Sequence, residues 1–188
     1  MPATFVKSIT QLIDLPDDDK PQIALVGRSN VGKSSLLNQL TDQKGLARAS
    51  AEPGRTQTIN VFDVDGRFYL IDLPGYGFAK ASKVKRVGLR GMISDYISEA
   101  PQLKLVLLIL DARRGFTELD LEVAGYLEAH SIPYALVVNK IDKLSKSEYS
   151  SLAKKIALSH PGVPIIPSSN VTRVGRGQIR QTIEEVIR

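Results

Sequence analysis

Residues Gly27-Arg28-Ser29-Asn30-Val31-Gly32-Lys33-Ser34 spell G-x-x-x-x-G-K-[ST], and no other stretch of the chain limits its possible folds so tightly. The run follows a short apolar segment, Gln22–Val26, that reads as a strand. It leads into Gly32–Thr41, where Leu36, Leu37 and Leu40 share one face of a predicted helix. A strand-to-helix turn of this composition lets the backbone curl until successive N–H groups face an anion, and the helix adds its positive N-terminal end. Lys33 can then reach the β- and γ-phosphates of a nucleotide while the Ser34 hydroxyl ligates Mg²⁺. The plainer alternative, an ordinary glycine-rich turn, requires a chance match to the whole pattern. The motif predicts nucleotide binding without separating ATP from GTP.

The surrounding chain suits one α/β domain. Its 188 residues, 43% of them hydrophobic, are enough for a single core and leave little room for a second. Apolar runs at Leu103–Asp111 and Pro133–Val138 read as central strands, and Val163–Ile166 as a shorter one. Glu118–Ala129, Ser145–Ser159 and Gly177–Ile187 have helical spacing between and after them. Ile59–Asp65 and Arg67–Leu73 flank Gly66 as the strands of a hairpin would. The expected architecture is a mostly parallel six-stranded sheet with one antiparallel edge strand and helices on both faces. Residues 1–20 read as an N-terminal extension, and Asp42–Arg55 and Gly75–Gly88 as irregular, functional loops. The chain contains no cysteine, which excludes disulfides, thiolate metal sites, a cysteine nucleophile and cysteine lipidation. No apolar stretch approaches the roughly 20 residues of a membrane span, and the start lacks a secretion-signal pattern, so a cytoplasmic location is expected.

Asn139-Lys140-Ile141-Asp142 follows the strand Pro133–Val138 and selects the base. Guanine presents N1–H and an N2 amine side by side, and the Asp142 carboxylate can accept from both. Adenine has an acceptor at N1 and no N2 amine, so the same carboxylate would be repelled and left unpaired. Asn139 can bridge the other base edge to the phosphate loop, and the Lys140 stem can cover the ring. Alone, N-K-x-D reads equally as a charged strand-to-helix turn. One βα unit beyond a phosphate loop, it points to GTP.

Asp72-Leu73-Pro74-Gly75 ends the second hairpin strand. Asp72 would hold Mg²⁺, through a water, and the Gly75 N–H would contact the γ-phosphate; the competing reading is a simple D-x-P-G turn. Upstream, Pro53-Gly54-Arg55-Thr56 precedes the hairpin, and Thr56, with Thr58 as its competitor, would complete the Mg²⁺ shell. Segments that grip the γ-phosphate and Mg²⁺, and loosen on hydrolysis, make a switch.

Taken in order, Gly-Arg-Ser-Asn-Val-Gly-Lys-Ser-Ser, Pro-Gly-Arg-Thr-Gln-Thr, Asp-Leu-Pro-Gly-Tyr-Gly and Asn-Lys-Ile-Asp resemble the EngB (YihA/YsxC) family of bacterial ribosome-biogenesis GTPases over nearly the whole chain. The resemblance implies one Ras-like G domain acting in assembly of the large ribosomal subunit and linked to normal cell division and septation. It also implies a fuller set of nucleotide contacts. They run from Gly27, Arg28, Ser29, Asn30, Val31, Gly32, Lys33, Ser34 and Ser35 through Gly54, Arg55, Thr56, Gln57 and Thr58. They continue with Asp72, Leu73, Pro74 and Gly75, then Asn139, Lys140, Ile141 and Asp142, then Pro167, Ser168 and Ser169. Lys33, Thr56 and Gly75 would act on the reacting phosphate, and Ser34, Thr56 and Asp72 on the metal. Ser168-Ser169-Asn170 is expected as the last guanine motif, with the Ser169 N–H donating to guanine O6. Asn30 occupies the place where related GTPases hold K⁺, so K⁺ is a second candidate ion. Tyr76 stands where many GTPases use Gln to orient water, which predicts slow hydrolysis without a partner.

The net charge of +5 favours a polyanionic partner without establishing one. Lys80, Lys83, Lys85, Arg86 and Arg90 form an acid-free run beyond the second switch, and Arg173, Arg176 and Arg180 gather near the last helix. Each reads either as a solvated helix face or as a phosphate-backbone footprint for ribosomal RNA. A phosphotransferase would need an acceptor pocket for which no segment remains, and a membrane-signalling GTPase would need lipidation sites that are absent. The expected protein is a monomeric GTPase switch.

Overall fold

Runs of Val, Ile and Leu become strands wherever both faces can be covered, and the middle of this chain is rich in them. A computed structural model of the protein describes residues 1–49, 58–77 and 83–188. Within these the order is β1 (Ala3–Ile9), β2 (Gln22–Gly27), α1 (Lys33–Thr41), α2 (Leu46–Ala49), β3 (Ile59–Val64), β4 (Phe68–Asp72) and α3 (Lys83–Glu99). There follow β5 (Leu103–Asp111), α4 (Glu118–Ala129), β6 (Tyr134–Asn139), α5 (Lys146–Ser159), β7 (Ile165–Pro167) and α6 (Arg176–Val186).

One sheet holds all seven strands, in the order β1-β3-β4-β2-β5-β6-β7. Only β3 opposes its neighbours; the pairs β2–β4, β2–β5, β5–β6 and β6–β7 are parallel. The α/β architecture is as expected, with two corrections. There is one more strand than the expected six, and the antiparallel strand lies second from the edge. Ala3–Ile9, expected as an extension, pairs along β3 from Ala3 opposite Val64 to Ile9 opposite Ile59. That pairing satisfies the backbone edge that β3 would otherwise expose. The expected hairpin is present: Asp65 and Gly66 both take positive φ, 54° and 67°, and the Arg67 N–H donates to the Val64 carbonyl at 2.9 Å.

Alternation along the central strands splits the core in two. Ile23, Leu25, Leu107, Ile109 and Val137 face one way, against Leu36, Leu37 and Leu40 of α1 and Ile179 and Ile183 of α6. Ala24, Val26, Leu108, Leu110 and Val138 face the other, against Ile93, Tyr96 and Ile97 of α3, Ala124 and Leu127 of α4, and Ile156 of α5. Helix α3 corrects a further expectation, since residues 83–88 are helical rather than loop. Asp42–Arg55, expected to be irregular, contains the short helix α2. No helix among the described residues is long and apolar enough to cross a membrane. The parallel strands all end on one edge of the sheet, with the loops after β2, β4, β5, β6 and β7 gathered there. Such an edge, at the strand where the chain changes direction of travel across the sheet, is where open α/β sheets bind ligands.

Candidate functional site

The phosphate loop is shaped by what presses on it. Gly32 caps α1 at φ 109°, and a Cβ there would lie 2.5 Å from Asn139 Nδ2 and 2.8 Å from Asn170 Nδ2. Only glycine fits. Both amides hold the loop: Asn139 Nδ2 donates to the Val31 carbonyl at 2.9 Å and Asn170 Nδ2 to the Gly32 carbonyl at 3.2 Å. The Lys140 ammonium adds a third tie, to the Asn30 carbonyl at 2.7 Å, and pairs with Asp111 at 3.0 Å. Thus the expected bridge from Asn139 to the phosphate loop is present, and Asn170 and Asp111 join it.

Lys33 opens α1 and is 9% exposed, its Nζ donating to the Gly27 carbonyl at 3.1 Å. Burial pushes its pKa down, and the charge of Asp72 opposes that shift. Asp72, at the end of β4, is 7% exposed, and burial raises its carboxyl to about 6 despite Lys33. Its Oδ1 has no hydrogen-bond partner among the described residues. A buried, acceptor-only oxygen beside the phosphate loop suits a magnesium shell in which water and phosphate supply most ligands. The exposed Ser34 hydroxyl suits the same shell. No cluster of three His, Cys, Asp or Glu side chains among the described residues could hold a metal by itself. The donor set therefore fits Mg²⁺ bound together with a nucleotide.

Asn30, Gly32, Lys33, Ser34 and Ser35 form one wall of a cavity of about 470 Å³, and Lys140, Asp142 and Asn170 form the other. That volume suits a nucleotide-sized ligand. At its far end Asp142 accepts from the Ser169 hydroxyl at 2.6 Å, which holds its pKa below the usual carboxylate range. Ser169 corrects the sequence reading. Its hydroxyl also accepts from the N–H groups of Val171 and Thr172, and its own N–H donates to the Val174 carbonyl at 3.2 Å. The N–H expected to meet guanine is therefore already engaged. The next N–H, that of Asn170, has no partner among the described residues and borders the cavity.

Gly75 lies directly over the phosphate loop: a Cβ there would fall 2.9 Å from Lys33 Nζ and from Ser29 N. Leu73, Pro74 and Ser168 are buried and Pro167 half-buried, none of them lining that cavity, and Ile141 starts the turn that carries Asp142. Thr58 precedes β3, and its hydroxyl donates to Asn60 of its own strand at 3.3 Å. Gly54, Arg55, Thr56 and Gln57 lie outside the described residues.

The basic groups divide. Arg173, Arg176 and Arg180, grouped in the sequence as a candidate RNA footprint, all turn onto Asp42 at the end of α1. Arg180 also donates to the Leu40 carbonyl. Arg90, in an acid-free run by sequence, meets Glu122 of α4 at 3.3 Å. Lys80 and the side chains of Lys83, Lys85 and Arg86 lie outside the described part.

Sequence reasoning missed two contributors, Asp111 and Asp120. Asp111 accepts two bonds from the Arg113 guanidinium, at 2.9 and 2.6 Å, which with Lys140 holds its carboxyl well below the ordinary range. Asp120 holds Tyr76, whose ring is buried and whose hydroxyl donates to the carboxylate at 2.6 Å. The T-x-x-D box at Thr117–Asp120 is the one available sequence sign of this last contact.

Residues 22–140 match the family model described as "50S ribosome-binding GTPase". The "Probable GTP-binding protein EngB" of Lactobacillus helveticus is 42% identical over 92% of this chain and 90% of its own length. That of Geotalea daltonii is 44% identical over 97% and 89%. Among solved structures, a probable GTP-binding protein EngB superposes with a TM-score of 0.75 at 27% identity, covering 88% of this chain and 98% of its own. Era in complex with MgGDPNP and nucleotides 1506–1542 of 16S ribosomal RNA gives 0.68 at 26% identity, covering 88% and 56%. With the phosphate loop and the Asp142 carboxylate lining one cavity, these likenesses agree: the chain belongs to the 50S ribosome-binding GTPase family, beside the EngB proteins, and is a GTP-binding protein that hydrolyses GTP.

Proposed function

We propose that GTP spans the cavity between the phosphate loop and the Asn139–Asp142 turn, and that its hydrolysis to GDP and phosphate switches the protein on and off the large ribosomal subunit during assembly. The observation that carries the nucleotide half is the Asn139–Val31 bond, which makes the base-reading turn and the phosphate loop two walls of one cavity. Lys33 then meets the β- and γ-phosphates, and Gly75 offers its N–H to the γ-phosphate. Asp72 and Ser34 hold Mg²⁺, and Thr56 completes its shell when GTP is bound, the Thr58 hydroxyl being turned to Asn60. When bound, the ion neutralises charge developing on the phosphate oxygens. Asp142 accepts from guanine N1–H and the N2 amine, and the Asn170 N–H replaces that of Ser169 as donor to O6. Water attacks the γ-phosphorus in line and GDP leaves; with Tyr76 buried, no glutamine follows Gly75 to orient that water, so hydrolysis is slow alone. Asn30 is the proposed K⁺ ligand.

The ribosomal half rests on the family description, on the rRNA-bound Era neighbour, and on the Lys80, Lys83, Lys85 and Arg86 run beside the second switch. The paired arginines of α6 are left out of that footprint, and Arg90 contributes less because Glu122 offsets it. We read the protein as a cytoplasmic monomer required for cell division.

Asp142→Asn tests the base assignment: preference should move from GTP to XTP by about 100-fold, since an amide can match xanthine's extra carbonyl. An unchanged choice of GTP overturns it. For the partner, co-sedimentation with purified subunits should favour 50S over 30S in the GTP-analogue state. Binding should weaken by about tenfold or more between 50 and 200 mM salt. Preference for 30S, or binding indifferent to salt and to charge reversal at Lys83, Lys85 and Arg86, overturns the RNA-footprint reading.

A further inference from the structure

Tyr76 follows Gly75 directly, and three contacts fix it. Its carbonyl accepts from the Ser29 N–H of the phosphate loop at 2.8 Å, in a single parallel bridge between Arg28 and Tyr76. Its ring is 3% exposed and forms the floor of an apolar groove with Ile93 and Ile97 of α3 and Leu119 and Val123 of α4. Its hydroxyl donates to Asp120 Oδ1. Asp120 is itself immobilised, because its Oδ2 accepts from the Thr117 N–H at 2.9 Å and the Thr117 hydroxyl at 2.7 Å in the capping box of α4. Burial and the neighbouring Asp120 carboxylate raise the phenol's pKa, so it stays a donor at any physiological pH.

An aromatic ring at this position is no use for orienting water, yet it is held at both ends. The residue it precisely trails, Gly75, stands over Lys33 Nζ with no room for a side chain. We propose that Tyr76 and Asp120 are positioning residues: the hydroxyl–carboxylate bond anchors the second switch to α4 and thereby fixes the Gly75 N–H over the γ-phosphate position. The proposal rests on the reading of Gly75 as the γ-phosphate contact. Its consequence is selective. GDP lacks the group that Gly75 would meet, so loosening the anchor adds an ordering cost to GTP binding and none to GDP binding.

The test measures the affinities of GDP and of a non-hydrolysable GTP analogue, with Mg²⁺, for the full chain and for Tyr76→Phe, Asp120→Asn and the double variant. Each single variant should lose about five- to tenfold in analogue affinity while GDP affinity stays within about twofold, and the double variant should be no worse than either single one. A purely structural role would lower both affinities together or neither. Asp120→Asn keeps an acceptor for Thr117, so it remains informative if Tyr76→Phe folds poorly. An unchanged analogue-to-GDP ratio in folded variants overturns the proposal alone. An unmodified chain that binds neither nucleotide overturns the reading of the site, and this proposal with it.

Discussion

Asp72 and Asp120 are both buried carboxylates, 7% and 2% exposed, and both flank the second switch, yet their surroundings are opposite. Asp120 accepts from one phenol, one hydroxyl and one backbone N–H. Asp72 leaves Oδ1 unpaired among the described residues, and burial raises its pKa to about 6. A buried polar atom without a partner costs about 1–3 kcal/mol, so a fold keeps one where a ligand supplies the partner. The same division runs across the molecule. Asp72, Asn139, Ser168 and Asn170 carry buried atoms without a partner among the described residues at the nucleotide edge. At the opposite edge Tyr96 donates to Gln22, and Glu128 accepts from Tyr134 at 2.5 Å and lies 2.8 Å from His160 Nδ1. Most of the buried side-chain atoms without a partner among the described residues thus gather toward the nucleotide edge, with His160 Nε2 the exception at the opposite one.

Removing the satisfied carboxylate should do the greater harm to the fold. Asp120→Ala strands three donors and should cost about 3 kcal/mol, lowering the melting temperature of the nucleotide-free protein by about 6–12 °C. A loss under about 1 kcal/mol would put the two carboxylates on the same footing.

Removing the unsatisfied one should help the empty protein. Asp72→Asn should raise nucleotide-free stability at pH 7.5 by about 2 kcal/mol while abolishing the Mg²⁺ dependence of GTP affinity. The sign follows from its raised pKa. Between about pH 4 and 6 the folded state binds more protons at Asp72 than the unfolded chain does, so stability from this group is full below that window and falls as pH rises through it. Denaturation across pH 5–7 should show that decline in the natural protein and a flatter profile in the variant. Equal slopes would mean that Asp72 is not the strained group. The smallest effect should come from Asp120→Asn, which keeps one acceptor for Thr117 and should lose only about 1 kcal/mol by the same denaturation.

How far these features could be read in advance follows from the reach of each interaction. The phosphate loop and the Asn139–Asp142 turn were legible because side-chain identity at fixed spacing dictates their chemistry. Tyr76 and Asp120 stand 44 positions apart, and Lys140 and Asp111 stand 29 apart, so only the folded sheet brings them together. In the guanine loop, spacing does not show that the Ser169 N–H is engaged by the Val174 carbonyl or that its hydroxyl bonds Asp142, since both are contacts made by the folded loop. Strand β1 was hidden by weak alternation in Thr4-Phe5-Val6-Lys7-Ser8-Ile9, and α3 by Gly88 and Gly91 among its lysines and arginines. The charge clusters misled for a related reason. Composition counts cations, whereas the carboxylates that occupy Arg90 and the α6 arginines arrive from distant elements.

The arginines on Asp42 bear on how the helix behind the phosphate loop is held. Helix α1 begins at the phosphate loop and ends at Asp42, whose αL conformation closes the helix through its N–H to the Asn38 carbonyl. Exposed ion pairs contribute little individually, but here they accompany Ile179 and Ile183, which complete the apolar bed under Leu36, Leu37 and Leu40. The helix that carries Lys33 and Ser34 is therefore braced by a partner some 140 positions further along the chain, so a change in α6 reaches the phosphate loop without touching a nucleotide contact.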